Sequence, residues 1–275
     1  MLNSQMFYKC QSLGNDFVLL DWLDEDQAGA DELLKRSDWA DFVCHLCSRN
    51  FGIGADGVLV IKKQHANDQV EGLVFNSDGS YGETSLNGLR CIVNYLVKQK
   101  NYPTNLTIFM GNKNICCSYQ DNEISVEVGN IIYKNEQKLN IAGNKFVGHS
   151  IDVGNPHFVI LSNVDPVWLT DNGHIISEHK YFPNRTNVEF VCENSINSIK
   201  HKSYDMLVYE RGCGMTLSCG SGAAAVATVL HKLNKVKTNE VFSIEMAGGE
   251  LKTSVNGQNH VIQLASAEIV FRGMF

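Results

Sequence analysis

Two short segments carry the residue types from which chemistry can be built. Cys219, Gly220, Ser221 and Gly222 run directly into Ala223, Ala224, Ala225, Val226 and Ala227, and the turn-like stretch Tyr209, Glu210, Arg211, Gly212 comes just before them. Ser85, Leu86, Asn87 and Gly88 repeat the arrangement ahead of Leu89 to Leu96, with Phe75, Asn76, Ser77, Asp78 and Gly79 upstream. Each segment reads as a turn feeding a helix N-terminus, where unpaired N–H groups and the helix dipole favour negative charge. A thiol placed there is expected to have a lowered pKa and to act as a base, while neighbouring N–H groups hold a carboxylate or a developing enolate. Two such helix ends could face one substrate.

The elements that would position these residues read as α+β. Strand-like runs at Gly57 to Ile61, Asn105 to Met110, Ile124 to Val128, Phe158 to Leu161, Tyr204 to Tyr209 and Val261 to Leu264 alternate with few helices. Helical patterns cover 87–99, 220–233 and a single stretch from Asp31 to Arg49. An internal repeat is visible: Gly14, Asn15, Asp16, Phe17, Val18 is echoed by Gly154, Asn155, Pro156, His157, Phe158, Val159, and each copy precedes its helix-entry motif by a similar interval. The 275 residues therefore suit two domains with a seam near Val128, Gly129 and Asn130.

A net charge of −7 with scattered Lys and Arg argues against nucleic acid or an anionic membrane as partner. Met1 to Cys10 lacks the charged start and apolar core of a signal peptide, and no run approaches membrane-spanning length, so the expectation is a cytoplasmic protein with reduced thiols. Cys44 and Cys47 have the spacing of half a metal or redox site, but no second pair follows, and no metal is expected. Cys116 and Cys117, adjacent in a strand, read as packing residues on opposite faces. Gly52 to Gly57 lacks the spacing and following helix of a nucleotide loop and reads as a turn.

Taken in order, Gly14 to Phe17, Phe51 to Gly57, Phe75 to Gly79, Gly154 to His157, Phe182 to Asn187, Glu210–Arg211 with Cys219 to Gly222, and Gly248–Gly249 resemble the diaminopimelate epimerases along essentially the whole chain. The resemblance implies two pseudo-symmetric domains, 1–128 plus 265–275 and 129–264, each a twisted mixed sheet wrapped around a central helix, with the active site in the interdomain cleft. It implies an isomerase that needs no pyridoxal cofactor, acts on a small-molecule amino acid in lysine and cell-wall precursor synthesis, and forms a homodimer. Cys219 and position 85 would be the two acid–base groups, with His157 and Glu210 tuning them. Asn15, Asn76, Asn155, Asn187, Glu210 and Arg211 would hold the non-reacting end of the substrate. N–H groups around Asn87, Gly88, Gly220 and Ser221 would hold the reacting carboxylate.

At position 85 the family's first cysteine is replaced by serine. A hydroxyl less acidic by about five pKa units costs roughly 7 kcal/mol more to ionise. Leu86 stands where the family usually has glycine, and Met215 where an acidic residue is common. Cys91 does not substitute for the thiol, since six residues of helix place it about 9 Å along the axis. Three readings stay open: a working epimerase, a one-base lyase or racemase using Cys219 alone, and a binding paralogue without turnover.

Overall fold

A computed structural model of the chain describes residues 5–25, 27–64, 69–129, 131–194 and 201–275; Asn130 of the expected seam lies outside them. The chain divides into two units, Met1–Val126 with Ala265–Phe275, and Glu127–Leu264. The first half contains β1 (Met6–Ser12), β2 (Asn15–Asp21), α1 (Gln27–Leu34), α2 (Trp39–Cys47), β3 (Gly57–Lys63), β4 (Val70–Asn76), β5 (Tyr81–Gly82), α3 (Leu86–Lys100), β6 (Asn105–Met110), β7 (Lys113–Gln120) and β8 (Glu123–Val128). There follow β9 (Ile132–Ile141), β10 (Asn144–Asp152), β11 (Pro156–Ile160), α4 (Pro166–Ser177), β12 (Asn187–Glu193), β13 (Ser203–Glu210), β14 (Gly214–Met215), α5 (Gly220–Lys232), β15 (Phe242–Met246), β16 (Gly249–Val255), β17 (Val261–Ser266) and β18 (Glu268–Met274). The fold is α+β.

Within the first unit, β18, β1, β2, β3, β4, β6, β7 and β8 pair in that order; β2 with β3 and β4 with β6 are parallel, and the other pairs antiparallel. The second unit repeats this pattern strand for strand as β9 to β13 followed by β15 to β17, with β11–β12 and β13–β15 parallel. The registers correspond too. Phe17 opposite Gly57 matches His157 opposite Asn187, and Phe75 opposite Tyr81 matches Tyr209 opposite Met215. The repeated Gly-Asn motif is thus one turn used twice: Gly14 and Gly154 carry φ of 76° and 118°, a region that a side chain disfavours.

Each unit also has one helix buried on nearly every side, as expected of a helix enclosed by a sheet rather than laid on it. Leu86 to Leu96 of α3 are all buried, packed against β1, β2, β3, β4, β7 and β18. In α5 the small residues Gly222 to Ala225 and Ala227 are buried, which lets β10, β11, β12 and β16 pack against it. Among the described residues no helix is long and apolar enough to cross a membrane.

The single helix expected from Asp31 to Arg49 is instead two, α1 and α2. Ser37 and Asp38 favour local side-chain bonding over helix interiors. The Arg36 guanidinium grips Asp38 at 2.8 and 2.5 Å across the break, which frees Trp39 to turn into a core with Trp22 and Phe75. Cys44 and Cys47 lie one turn apart on α2, with Cys47 in that core. Cys116 is exposed while its neighbour Cys117 is buried, and Cys91 is fully buried on α3.

Buried thiols make stability pH-dependent. Burial pushes Cys47 and Cys117 up to about 12, and a hydrogen bond with Cys91, reinforced by burial, pushes Cys10 well above the usual thiol range. Folded-state values above unfolded ones mean that the contribution is fully present below about pH 9 and is lost as pH rises towards the folded values. The slope is about 1.4 kcal/mol per thiol per pH unit, or about 4 kcal/mol for the three. Urea unfolding at pH 8 and pH 10 is therefore expected to show a large loss of stability at the higher pH; equal midpoints would contradict it.

Candidate active site

The two helix starts are built alike. Ser85 caps α3 with φ −130° and ψ 114°, its Oγ accepting from the Gly88 N–H at 3.0 Å. Cys219 caps α5 with φ −135° and ψ 108°, its Sγ accepting from the Gly222 N–H at 3.3 Å. Glycine at both third positions leaves room for a facing side chain: a Cβ on Gly88 would lie 2.8 Å from Leu59 Cδ2 and one on Gly222 would lie 2.7 Å from Glu189 Oε1, so either would push that side chain aside. The repeat thus sets Leu59 against α3 and Glu189 against α5.

By the same correspondence Phe17 stands in the first unit where His157 stands in the second, and Asn76 where Glu210 stands, so the two starts differ in their neighbours. Among the described residues, Ser85 makes no hydrogen bond to an ionisable side chain. Cys219 sits in an acid–base cluster. The Glu210 carboxyl is in hydrogen-bonding contact with the thiol and accepts from Thr216 Oγ1 at 2.5 Å. His157 Nδ1 meets Glu189 Oε1 at 2.7 Å, and both side chains are 0% exposed. His157 Nε2 meets Asn155 Oδ1 at 3.0 Å. Each ring nitrogen of His157 thus faces a side-chain oxygen, which fixes the plane of the imidazole.

The expected lowering of the Cys219 pKa is not found. Burial, followed by the negative charges of Glu210 and Glu189, pushes the thiol well up; the Ser221 hydroxyl and Gly222 N–H oppose this and lose. A thiol 4% exposed forfeits more solvation on ionising than one helix end returns. The resting group is therefore the neutral thiol, a proton donor, and it becomes a base only by passing its proton on. Glu210 suits that task, since burial raises its carboxyl above the usual range and makes it a stronger acceptor.

The other candidate residues separate by unit. In the second, Asn187 is buried, donating to Pro156 O at 3.0 Å and accepting from the Arg211 N–H at 2.9 Å. Arg211 is exposed, and its guanidinium donates to Asn184 O at 3.1 Å. Ser221 Oγ lies 3.5 Å from Cys219 Sγ, and Gly220 O accepts from the buried Gln263 at 2.7 Å. In the first unit, Asn76 is exposed and donates to Ser80 Oγ at 2.9 Å, while Asn15 and buried Asn87 bond to each other at 3.3 Å. Glu189, Thr216 and Gln263 were not among the expected residues. Glu189 left one signal, an acid within the apolar strand run Asn187 to Val191, where an unpaired charge is costly to bury.

A family model described as "Diaminopimelate epimerase" matches residues 7–134 and 149–270. The chain is 33% identical over 297 residues to the diaminopimelate epimerase of Prochlorococcus marinus (strain NATL2A), covering 97% of each protein. It is 31% identical over 289 residues to that of Desulfitobacterium hafniense, covering 97% of this chain and 96% of the relative. Among solved structures, a hydroxyproline epimerase from Agrobacterium vitis aligns with TM-score 0.75 at 10% identity, over 99% of this chain and 92% of that one. A PhzF-family phenazine biosynthesis protein from Bacillus anthracis aligns with TM-score 0.72 at 11% identity, over 100% and 99%. At such identities the structural likeness speaks for the fold.

Proposed function

This chain belongs to the diaminopimelate epimerase family, and on that premise we propose that it interconverts the LL and meso forms of diaminopimelate without a pyridoxal cofactor. The observation that carries this reading is the Cys219 thiol at the α5 N-terminus, in contact with Glu210 and beside the buried His157–Glu189 pair. Glu210 accepts the thiol proton, and the thiolate then takes the α-proton. The electron pair of the broken C–H bond moves onto the substrate carboxylate, stabilised by helix N–H groups at Gly220 and Ser221 or at Asn87 and Gly88. A proton delivered from the opposite face, the role given to Ser85, completes inversion. Asn15, Asn76, Asn155, Asn187, Glu210 and Arg211 hold the distal carboxylate and ammonium. The same reading makes the protein a cytoplasmic homodimer.

Ser85 favours a second reading. An alkoxide there is costly to form, so Cys219 alone would remove and return the proton on one face. Incubation with each diaminopimelate stereoisomer in deuterated water separates the two. Deuterium at Cα with inversion is the expected result; deuterium with retained configuration selects the one-base reading; no exchange despite tight binding defeats both.

A further inference from the structure

We propose that Arg90 and Asp56 are positioning residues that fix which way the Asn87 and Asn15 amides point, so that Asn15 offers an N–H to its ligand and takes a carboxylate rather than an ammonium. The inference rests on the reading of Asn15 as a substrate-binding residue and deepens it.

The four side chains form one directed chain of hydrogen bonds. Arg90 is 0% exposed and has no carboxylate partner among the described residues; its Nε donates to Ser12 Oγ at 2.9 Å and its Nη2 to Asn87 Oδ1. Asn87 Nδ2 donates to Asn15 Oδ1 at 3.3 Å, and Asn15 Nδ2 to Asp56 Oδ2 at 2.9 Å. Asp56 is held in turn by Arg49 Nη2 at 2.7 Å and by the Asp16 N–H at 3.1 Å. Arg49 also grips Asp16, and burial of Asp16 is outweighed by its bonds with Arg49 and Lys9, so that its carboxyl falls to about 2.

An amide on its own can be turned over, exchanging donor for acceptor. Here the ends decide. A guanidinium only donates and a carboxylate only accepts, so reversing both amides would press NH2 against NH2 at Arg90 and oxygen against oxygen at Asp56. Polarity therefore runs one way, from the buried cation outward. Asn15 Oδ1 already accepts from Asn87, and one Nδ2 hydrogen goes to Asp56. The hydrogen left over has no acceptor among the described residues. A ligand anion completes it, whereas an ammonium would have to share the Oδ1 that already accepts from Asn87.

Two measurements test this. In the wild-type protein, NMR scalar coupling across hydrogen bonds is expected from Asn87 Nδ2 to the Asn15 side-chain carbonyl carbon and from Asn15 Nδ2 to the Asp56 carboxyl carbon. Couplings in the opposite sense, or none in the folded protein, overturn the relay whether or not diaminopimelate is the substrate. In Asp56→Asn, checked by thermal melting for an intact fold, the carboxylate anchor is gone and Asn15 is held chiefly by its 3.3 Å bond from Asn87. KM for diaminopimelate is expected to rise about tenfold while kcat stays within about twofold. A wild-type KM in that variant overturns the positioning role. If the wild-type protein shows the couplings but neither binds nor turns over diaminopimelate, the relay stands and the functional reading falls.

Discussion

Replacing Cys219 with alanine is expected to lower α-proton exchange of diaminopimelate by about a thousandfold or more, the scale on which a positioned proton-transfer group contributes. The fold should survive. Alanine removes the sulfur that accepts the Gly222 N–H, and loss of a helix cap costs about 1 kcal/mol. Cys219→Ser separates capping from chemistry, because Ser85 shows that a hydroxyl caps an equivalent helix start with nearly the same backbone angles. Serine should restore the lost stability and leave the rate near that of the alanine variant. Exchange measured by NMR in deuterated water, alongside thermal melting, gives both readings. A serine variant exchanging at the wild-type rate would remove Cys219 from the mechanism.

Ser85→Cys is expected to work in the opposite direction, raising the rate of inversion by about a hundredfold or more. The upper bound follows from acidity. Recovering about five pKa units is worth roughly 7 kcal/mol, a factor near 10⁵, and geometry will use only part of it. The larger sulfur has a precedent in the molecule, since Cys219 Sγ fits over its glycine turn at 3.3 Å where Ser85 Oγ sits at 3.0 Å. Buried Leu86 follows position 85 where Gly220 follows Cys219, a difference in side-chain bulk beside the new thiol. Chiral chromatography of the product after incubation with LL-diaminopimelate measures inversion directly. A folded variant whose new thiol reacts with a thiol reagent but whose inversion rate is unchanged would show that position 85 is not the missing acid.

Local patterns in the sequence read correctly wherever local physics decides. The glycine-rich starts of α3 and α5, and the Gly-Asn turns before β2 and β11, were legible because capping and positive φ are properties of a few adjacent residues. The same reasoning failed on the Cys219 thiol. The helix dipole is visible in the sequence, but desolvation and the charges of Glu210 and Glu189 come from distant strands, and they prevail. Asn15 and Asn87 were both marked as binding residues, yet nothing in their spacing joined them to each other, to Arg90 and to Asp56. The break between α1 and α2 was lost because Ser37 and Asp38 interrupt an otherwise continuous apolar period.

The matched positions of the two units have an evolutionary consequence. Where the first unit encloses Phe17 and Leu59, the second encloses His157 and Glu189, all four at 3% exposure or less. Ionisable groups in a core are tolerated at a cost in folding free energy, and well-packed apolar residues generally are not. At these matched positions the cost of a buried ionisable pair falls on the second unit. Substitutions that harden Phe17, Leu59 and their surroundings widen the range of acid–base variants that the chain can sample while it still folds.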